Sequence, residues 1–195
     1  MTIRAFIAIE TSVDIQKKME ELTGRLKKGA SFSSVRPSWV KPANAHLTLK
    51  FLGNIEESQL EHIARLMRAA CAGISPFSLE VGGLGVFPNE RQPRVLWIGI
   101  KNPGNEIISM QKLLDQGLAT LGFETEKHAF HPHLTIARFK YLKGTAAFME
   151  VIHEHQNLSN LGDCIASELI LFQSKLHPDG AIYIPLKKIK FGESA

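Results

Sequence analysis

The sequence contains few cysteines and no long apolar stretch. Its two cysteines, Cys71 and Cys164, are too few and too far apart for a disulfide framework or a zinc site. No run of about 18 apolar residues is present, so no membrane-spanning helix is expected. The first residues also lack the basic and then apolar pattern of a secretory signal. Together these absences predict a protein of the reducing cytoplasm that has no contact with a membrane.

The composition is otherwise that of an ordinary globular protein. With 195 residues, the chain can form one large domain or two small lobes that each bury a core. Hydrophobic residues make up 44% of it and charged residues 22%. The net charge of +4 is compatible with an anionic substrate or a nucleic acid, although many proteins that bind neither have a similar charge.

One short pattern occurs twice. The tetrad HLTL, which begins at His46, opens the run HLTLKFLG, and the tetrad HLTI, which begins at His133, opens the run HLTIARFK 87 positions later. Both runs are rich in β-forming residues that alternate between polar and apolar. On a strand, His46 and Thr48 would share one face, as would His133 and Thr135, with the apolar residues buried beneath them. One such pair arises often by chance, but two on rigid strands indicate a two-histidine active site.

The surroundings of the motif are repeated as well. Each half of the chain has the order strand, helix, motif strand, helix, strand, and the second half ends in a β-hairpin predicted over residues 168–186. Arg4 precedes His46 by 42 positions, and Arg94 precedes His133 by 39. We therefore predict a single bilobal domain over residues 1–195 that arose by internal duplication, with halves of approximately 1–90 and 91–195.

Local signals predict where the elements of the first half end. Residues 31–44 are expected to form a polar loop, and Gly53-Asn54 to stop the first motif strand. Ser58 and Glu61 have the spacing of a capping box for the following helix. Gly82-Gly83 and Phe87-Pro88-Asn89 bracket a segment that is predicted to be irregular and would serve as a hinge or seam between the halves.

Two histidines facing each other support proton transfer at phosphorus. Two lobes related by a pseudo-twofold axis would place one imidazole on each side of a shared groove. Because histidine titrates near neutrality, one ring can accept a proton while the other donates one. Opposed acid and base suit in-line displacement at phosphorus, and the threonine hydroxyls can bind the non-bridging oxygens without a metal ion or another cofactor.

The residues carry a resemblance to a known family. The runs HLTLKFLG and HPHLTIAR, the opening IRAFIAIE and the middle segment FPNERQPRVLWIG resemble the two-histidine (2H) phosphoesterase superfamily. Within it, the chain is similar nearly end to end to bacterial and archaeal RNA 2′,3′-cyclic phosphodiesterases, which were first named 2′-5′ RNA ligases. We therefore expect an α+β fold of two pseudo-symmetric lobes of antiparallel β-sheet, with helices packed outside and an active-site groove between the lobes.

The resemblance also implies a reaction and the roles of four residues. The substrate would be an RNA end with a 2′,3′-cyclic phosphate, such as a tRNA fragment, and the product a 2′-phosphate; reverse 2′-5′ ligation stays open. His46 would protonate the leaving 3′ oxygen and His133 would take the proton from water. Thr48 and Thr135 would hold the phosphate. No cofactor, metal or obligate protein partner is expected.

Two further residues are assigned to substrate binding. The family places an arginine five residues after the second histidine, which is Arg138 here. On a regular strand Arg138 would point to the apolar side, so it must leave through a bulge or the strand end to reach phosphate; a plain surface role is the alternative. Phe51 stands at the equivalent place in the first motif. We expect it in the core, with stacking on a base as the alternative.

Two rival interpretations remain. His131 and His133 form an H-x-H pair that could bind a metal ion in a metal-dependent phosphoesterase, although no third ligand stands at a recognisable spacing. The chain could also be a non-catalytic module that binds RNA ends. The intact histidine and threonine pairs argue for catalysis, and turnover of a cyclic phosphate would separate the two.

Overall fold

The computed structural model describes residues 2–29, 37–140, 145–178 and 180–192. Within these residues the strands are β1 (Thr2–Glu10), β2 (Ser38–Trp39), β3 (His46–Glu56), β4 (Phe77–Phe87), β5 (Val95–Lys101), β6 (His133–Arg138), β7 (Gly162–Ala166), β8 (Glu168–Lys175) and β9 (Ile182–Lys190). The helices are α1 (Val13–Gly29), α2 (Leu60–Cys71), α3 (Asn105–Ala119) and α4 (Thr145–Glu154). None of these helices is long and apolar enough to cross a membrane.

The strands form one antiparallel sheet that is divided into two lobes. Its order is β7-β4-β5-β6-β3-β1-β8-β9, and the short β2 pairs with β6. The two motif strands, β3 and β6, are the central neighbours, and Leu47 pairs with Leu134 where they meet. One lobe therefore contains β3, β1, β8 and β9, and the other contains β6, β5, β4 and β7.

The two halves of the chain exchange strands. β4 belongs to the first half of the sequence but pairs with β5 of the second half. β8 belongs to the second half but pairs with β1 of the first. The lobe of β3 and β1 is thus completed by β8 and β9 from the second half, and the lobe of β6 and β5 by β4 from the first half.

The helices and one face of the sheet share the main core. Apolar side chains of α1, α2 and α3, for example Ile15, Met67 and Leu114, are buried in the same cluster as Leu47 and Leu134 of the motif strands. A second, small cluster of Phe6, Ala8, Ile170 and Phe172 lies outside this core. The expected α+β architecture of two antiparallel lobes with packed helices is confirmed.

The predicted ends of the first motif strand and its helix were wrong. β3 continues through Gly53 to Glu56, because Gly53 adopts a φ of 69° beside a bulge and so bends the strand without ending it. The strand therefore ends directly before the 3-10 turn Glu57–Gln59, which contains Ser58. The capping box is formed by Glu56 and Gln59, not by Ser58 and Glu61.

The predicted hinge and loop also need correction. Gly82 and Gly83 lie inside β4, where the register against β5 shifts between Val81 and Leu84. Gly83 has a φ of 83° and accommodates this bulge. Of the loop predicted over 31–44, residues 31–36 lie outside the described residues, and the rest contains β2.

Candidate active site

Pairing of the two motif strands brings the two histidine–threonine pairs together. In an antiparallel ladder, the pairing of Leu47 with Leu134 sets the partners of the residues on either side. Extending this register places His46 opposite Thr135 and Thr48 opposite His133. Both leucines are buried, so the alternating side chains at these four positions share the opposite, groove-lining face. Each histidine therefore lies beside the threonine of the other motif.

The two imidazoles are oriented by identical hydrogen bonds. His46 Nδ1 lies 2.7 Å from the carbonyl oxygen of Asn44, and His133 Nδ1 lies 2.7 Å from that of His131. A carbonyl oxygen can only accept, so each Nδ1 carries a hydrogen and donates it. In the neutral ring this leaves Nε2 with its lone pair, and in the charged ring it leaves an Nε2–H that can be given away.

Aromatic side chains surround His46. Its ring centroid lies 4.7 Å from that of Phe6 and 5.1 Å from that of Tyr183, which it meets edge-on. Burial among these rings penalises the charged imidazolium and lowers the pKa of His46 from 6.5 to about 4. The hydrogen bond to Asn44 opposes this shift, whereas the positive charge of Arg138 adds to it. His46 is therefore neutral at pH 7 in the free protein.

His133 lies in a similar aromatic setting. Phe87 meets its ring edge-on at 5.0 Å, and Trp97 lies 6.2 Å away. Burial lowers the pKa of His133 as well, opposed by its hydrogen bond to the backbone of His131 and assisted by the charges of His131 and Arg138. Both imidazoles are thus bases in the free protein, and an anion between them would favour protonation of one.

A β-bulge turns Arg138 toward the site. Ala137 pairs with Leu96 and Thr135 with Trp97, so Ile136 is an extra residue in β6. Ile136 and Ala137 are both buried, and Arg138 therefore returns to the face of His133 and Thr135. We expected Arg138 to leave the apolar side through a bulge or the strand end, and the structure contains such a bulge.

An equivalent bulge exposes Phe51. Lys50 pairs with Ile7 and Thr48 with Ala8, so Leu49 is the extra residue in β3. Phe51 is 59% exposed on the groove face, and the expectation that it belongs to the core was wrong. The bulge shifts the alternation of side chains by one residue, which places Lys50 in the interior instead.

Two cavities meet at the motif strands. A cavity of about 670 Å³ is lined by His46 and Thr135, and three cations, Arg4, Lys41 and Arg138, also line it. A second cavity of about 460 Å³ is lined by His133. Thr48 and Phe51 line both. The groove thus offers proton-transfer groups, hydroxyls and positive charge around one position, as an anionic substrate requires.

A buried ion pair supports the wall of the second cavity. Lys50 Nζ lies 2.6 Å from Asp115 Oδ1 of α3, and the lysine side chain is 2% exposed. Lys50 also donates to the carbonyl oxygen of Glu124, and the backbone N–H of Glu126 donates to the Asp115 carboxylate. The segment after α3 is therefore tied to β3 from beneath the site.

Sequence reasoning missed several residues of the site. Phe6, Phe87, Trp97 and Tyr183 pack against the two histidines. The sequence did indicate the position of Phe6, because this residue alternates with the core residues of β1 and therefore faces the groove. It did not indicate the position of Tyr183, since the pairing of β8 with β1 that brings β9 to the site is not encoded locally.

The H-x-H pair does not gain a third ligand from the described residues. Among them, no three His, Cys, Asp or Glu side chains are grouped as a metal site would require. The ring of His131 packs against Trp97 at 4.8 Å and Phe87 at 5.6 Å. These contacts hold the His131 ring among aromatic side chains beside His133.

A family model matches the chain twice. The model of LigT like phosphoesterases matches residues 9–97 and again residues 98–183, so that each match contains one histidine–threonine motif. The chain belongs to the LigT-like phosphoesterase family. Its activity is accordingly that of a phosphoesterase.

Curated relatives are similar over nearly the whole chain. A protein of Methanothermobacter thermautotrophicus named RNA 2′,3′-cyclic phosphodiesterase is 34% identical over 187 residues, which is 96% of this chain and 98% of the relative. A protein of the same name from Aquifex aeolicus is 31% identical over 192 residues, 97% and 98% of the two chains.

Solved structures share the fold. The structure of E. coli LigT complexed with 3′-AMP has a TM-score of 0.76 at 23% identity, covering 99% of this chain and all of that chain. A structure from Thermus thermophilus has a TM-score of 0.76 at 24% identity, covering 98% of this chain and all of its own. At these identities the likeness concerns the fold.

Proposed function

We propose that this phosphoesterase hydrolyses terminal RNA 2′,3′-cyclic phosphates to 2′-phosphomonoesters by metal-independent acid–base catalysis. The observation that carries the proposal is the matched orientation of the two imidazoles, each fixed through Nδ1 to the carbonyl oxygen two residues before it. This leaves one Nε2 on each motif strand for proton transfer. The names of the relatives supply the class of substrate.

Hydrolysis proceeds in line across the groove. Nε2 of His133 takes a proton from water while the water oxygen bonds to phosphorus. The bond from phosphorus to the 3′ oxygen breaks on the opposite side, and this oxygen receives the proton from Nε2 of a charged His46. The products are a 2′-phosphate and a free 3′-hydroxyl. The assignment of acid and base follows the family resemblance.

The low pKa of His46 is reconciled with an acid role by the substrate itself. Burial and the charge of Arg138 keep the free ring neutral. A phosphodiester anion in the groove offsets the positive charge of Arg138 and attracts a proton to the imidazole. The pKa of His46 therefore rises in the complex. Binding of substrate therefore favours the protonated form of His46, which is the form that acts as the acid.

The other groove residues bind substrate. Thr48 and Thr135 donate hydrogen bonds to the non-bridging phosphate oxygens. The positive charge of Arg138 stabilises the negative charge that grows on these oxygens in the transition state. Phe51 offers an exposed ring on which a base stacks. RNA ends, including tRNA fragments, are the expected partners, and the cytoplasm is the expected compartment because both cysteines are free thiols. Attack on the same cyclic phosphate by the 5′-hydroxyl of a second RNA in place of water would give a 2′-5′ phosphodiester and a free 3′-hydroxyl, which is 2′-5′ RNA ligation.

The decisive experiment follows products from an RNA with a cyclic phosphate end by mass spectrometry, in excess chelator. The wild-type protein should yield the 2′-phosphate. His46→Ala and His133→Ala should each lower turnover at least about a hundredfold with the fold retained, the usual scale for losing a general acid or base. The double variant should be far less than multiplicatively worse, because the two residues act as one unit.

The same experiment separates the rival functions. Near wild-type turnover in either single variant would remove the two-histidine mechanism. Turnover that disappears with the chelator would favour a metal site at His131 and His133. Tight binding of the RNA end without any turnover would favour a non-catalytic binding module.

A further inference from the structure

The larger cavity of the groove holds more positive charge than the reacting phosphate requires. Three cations, Arg4, Lys41 and Arg138, line this cavity of about 670 Å³. Arg138 is assigned above to the cyclic phosphate, which carries a single negative charge. Arg4 and Lys41 have no role in the proposed hydrolysis. Because like charges held in one cavity repel each other, their position together favours the binding of a second anion there.

Neither Arg4 nor Lys41 has a counter-ion among the described residues. Neither takes part in any ion pair that these residues form, whereas other basic side chains, such as Lys50 and Lys101, are paired with carboxylates. The described residues that line the cavity also include no aspartate and no glutamate. The positive charge of Arg4 and Lys41 is therefore open to an anion from outside the protein.

The regular alternation of β1 directs Arg4 into the groove. Ile3 and Ala5 of this strand are buried in the main core, and Phe6 lies in the small cluster on the other face. Arg4 is exposed and has the same parity as Phe6, whose ring packs 4.7 Å from that of His46. The Cα atoms of Arg4 and Phe6 are roughly 7 Å apart along the strand. Arg4 therefore lies on the groove face, one alternate position beyond the residue that contacts the acid.

Tyr183 connects His46 with this charged part of the cavity. Its ring meets His46 edge-on at 5.1 Å, and it lines the same cavity as Arg4 and Lys41. Burial raises the pKa of Tyr183, and the positive charges of Arg138 and Arg4 oppose this shift. The phenol is protonated at neutral pH and can donate a hydrogen bond. A hydroxyl donor in the field of two guanidinium groups suits a phosphate oxygen.

We propose that Arg4 and Lys41 bind the phosphodiester on the 5′ side of the terminal nucleotide, so that the site selects an RNA strand over a mononucleotide; this inference rests on the proposed function. The terminal ribose carries the cyclic phosphate on its 2′ and 3′ oxygens, and this group lies at the two histidines. The 5′ oxygen of the same ribose leads to the preceding phosphate, which is the second anion of the terminal nucleotide. The cations that the reaction leaves unused are thus matched by a charge that an RNA end has and a nucleoside cyclic phosphate lacks.

The test compares three substrates that differ only on the 5′ side. Adenosine 2′,3′-cyclic phosphate has a free 5′-hydroxyl, and its 5′-phosphorylated form adds the phosphate alone. The dinucleotide ApA with the same cyclic end adds the phosphodiester and a second nucleoside. In the wild-type protein, kcat/KM should be at least about tenfold higher for the two substrates that carry a 5′ phosphate, the scale of a hydrogen bond to a charged group. The difference should lie in KM, because this contact is the same in the ground state and in the transition state.

Two variants remove the charges and keep a long, unbranched side chain. Arg4→Met and Lys41→Met should each raise KM about tenfold for the two substrates with a 5′ phosphate, and should leave KM for adenosine 2′,3′-cyclic phosphate unchanged. Arg4→Lys keeps the charge and should recover part of the loss. Arg91→Met is the matched control, because Arg91 is an exposed arginine that lines neither cavity of the groove. It should keep the wild-type KM for all three substrates.

The outcomes separate this site from the proposed function. A loss confined to the substrates with a 5′ phosphate, in either variant, supports the site. An equal loss for all three substrates, an unchanged KM in both variants, or a wild-type protein that does not prefer the 5′-phosphorylated mononucleotide would overturn it and leave the hydrolase intact. If the wild-type protein hydrolyses none of the three, the proposed function fails instead. The Kd values of the three corresponding 2′-phosphates then decide the site by the same comparison.

Discussion

Phe51 and Arg138 occupy equivalent positions in the two motif strands. Each follows its motif threonine by three residues, and in each case a β-bulge between them buries two consecutive side chains. The same backbone device thus delivers an aromatic ring from one lobe and a guanidinium from the other. Near-symmetric strands therefore produce an asymmetric groove, with positive charge concentrated on the side of His46. In the proposed reaction, this asymmetry would give the RNA a direction in the site.

Removing the threonine hydroxyls should weaken activity less than removing the histidines. Thr48→Val and Thr135→Val each delete one hydrogen bond to phosphate and keep the β-branched shape that the strand favours. A loss of roughly tenfold in kcat/KM is expected for each, the scale of one hydrogen bond to a charged group. Steady-state kinetics with a cyclic-phosphate RNA checks this. Unchanged kinetics in both variants would leave the threonines as strand formers only.

Removing the Arg138 guanidinium should raise the pKa of both histidines. Its positive charge disfavours the imidazolium at His46 and at His133, so Arg138→Met relieves that repulsion in the free protein. NMR titration of the imidazole signals measures the shifts directly, with Lys41→Met as a control that removes a cation from the same cavity. Activity of Arg138→Met should fall at least about tenfold, the scale of a charge-assisted hydrogen bond. If the pKa values of both histidines stay unchanged in Arg138→Met, the charge of Arg138 does not act on the imidazoles.

The pH profile should be bell-shaped and displaced to the acidic side in the free enzyme. Burial lowers the pKa of both rings below 6.5, so the alkaline limb of kcat/KM, which reports loss of the proton from the acid, should lie below that value. A bound phosphate favours the charged rings, and the limb should move to higher pH in kcat. Both limbs describe the coupled pair. In excess chelator, a rate that climbs steadily into alkaline pH would contradict this.

Acid should destabilise the fold through His46. Its pKa is about 4 in the folded protein against 6.5 in the unfolded chain, so the unfolded state binds the proton first. The stabilisation is fully present above pH 6.5 and is lost as the pH falls through this window to about 4. The free energy of unfolding, measured with urea, should fall between about pH 7 and about pH 4.5. This fall should be roughly 2 kcal/mol smaller in His46→Asn than in the wild-type protein. Equal losses in both proteins would exclude this coupling.

The buried Lys50–Asp115 pair should be costly to break from one side. Lys50→Met leaves the Asp115 carboxylate without its cation, and a loss of roughly 3 kcal/mol in unfolding free energy is expected. Replacing both residues, as in Lys50→Met with Asp115→Leu, should cost less than the sum of the single changes. A double-mutant cycle in urea measures this coupling, and strict additivity would show that the pair does not act as a unit.

The groove face of the two motif strands was predictable because alternation in a strand is a local property. Leu47 and Leu134 fix which face is buried, and the histidines and threonines follow by parity. A bulge shifts the alternation of side chains by one residue. The expectation that Phe51 lies in the core assumed a regular strand without this bulge. For Arg138 a bulge or strand end was anticipated only because the family resemblance required its side chain to reach phosphate.

The aromatic surroundings of His46 were not predictable from the sequence. Tyr183 is 137 positions away from His46 in the chain, and it reaches the ring through two successive strand pairings, β9 with β8 and β8 with β1. The pairing of β9 with β8 was predicted as a hairpin, but the pairing of β8 with β1 is not specified by the residues near Tyr183. The strong lowering of the His46 pKa depends on this arrangement, so it too required the structure.

The exchange of β4 and β8 has a consequence for the history of the chain. We infer from the doubled motif that the two halves descend from one ancestral unit. In this chain a strand that follows each motif strand pairs with the first strand of the other half, and not with that of its own half. We propose that the topology is that of a strand-swapped homodimer joined into one polypeptide. A fragment that ends near residue 90 would leave the β1 edge without β8, and we expect such a fragment to dimerise through its unpaired strand edges.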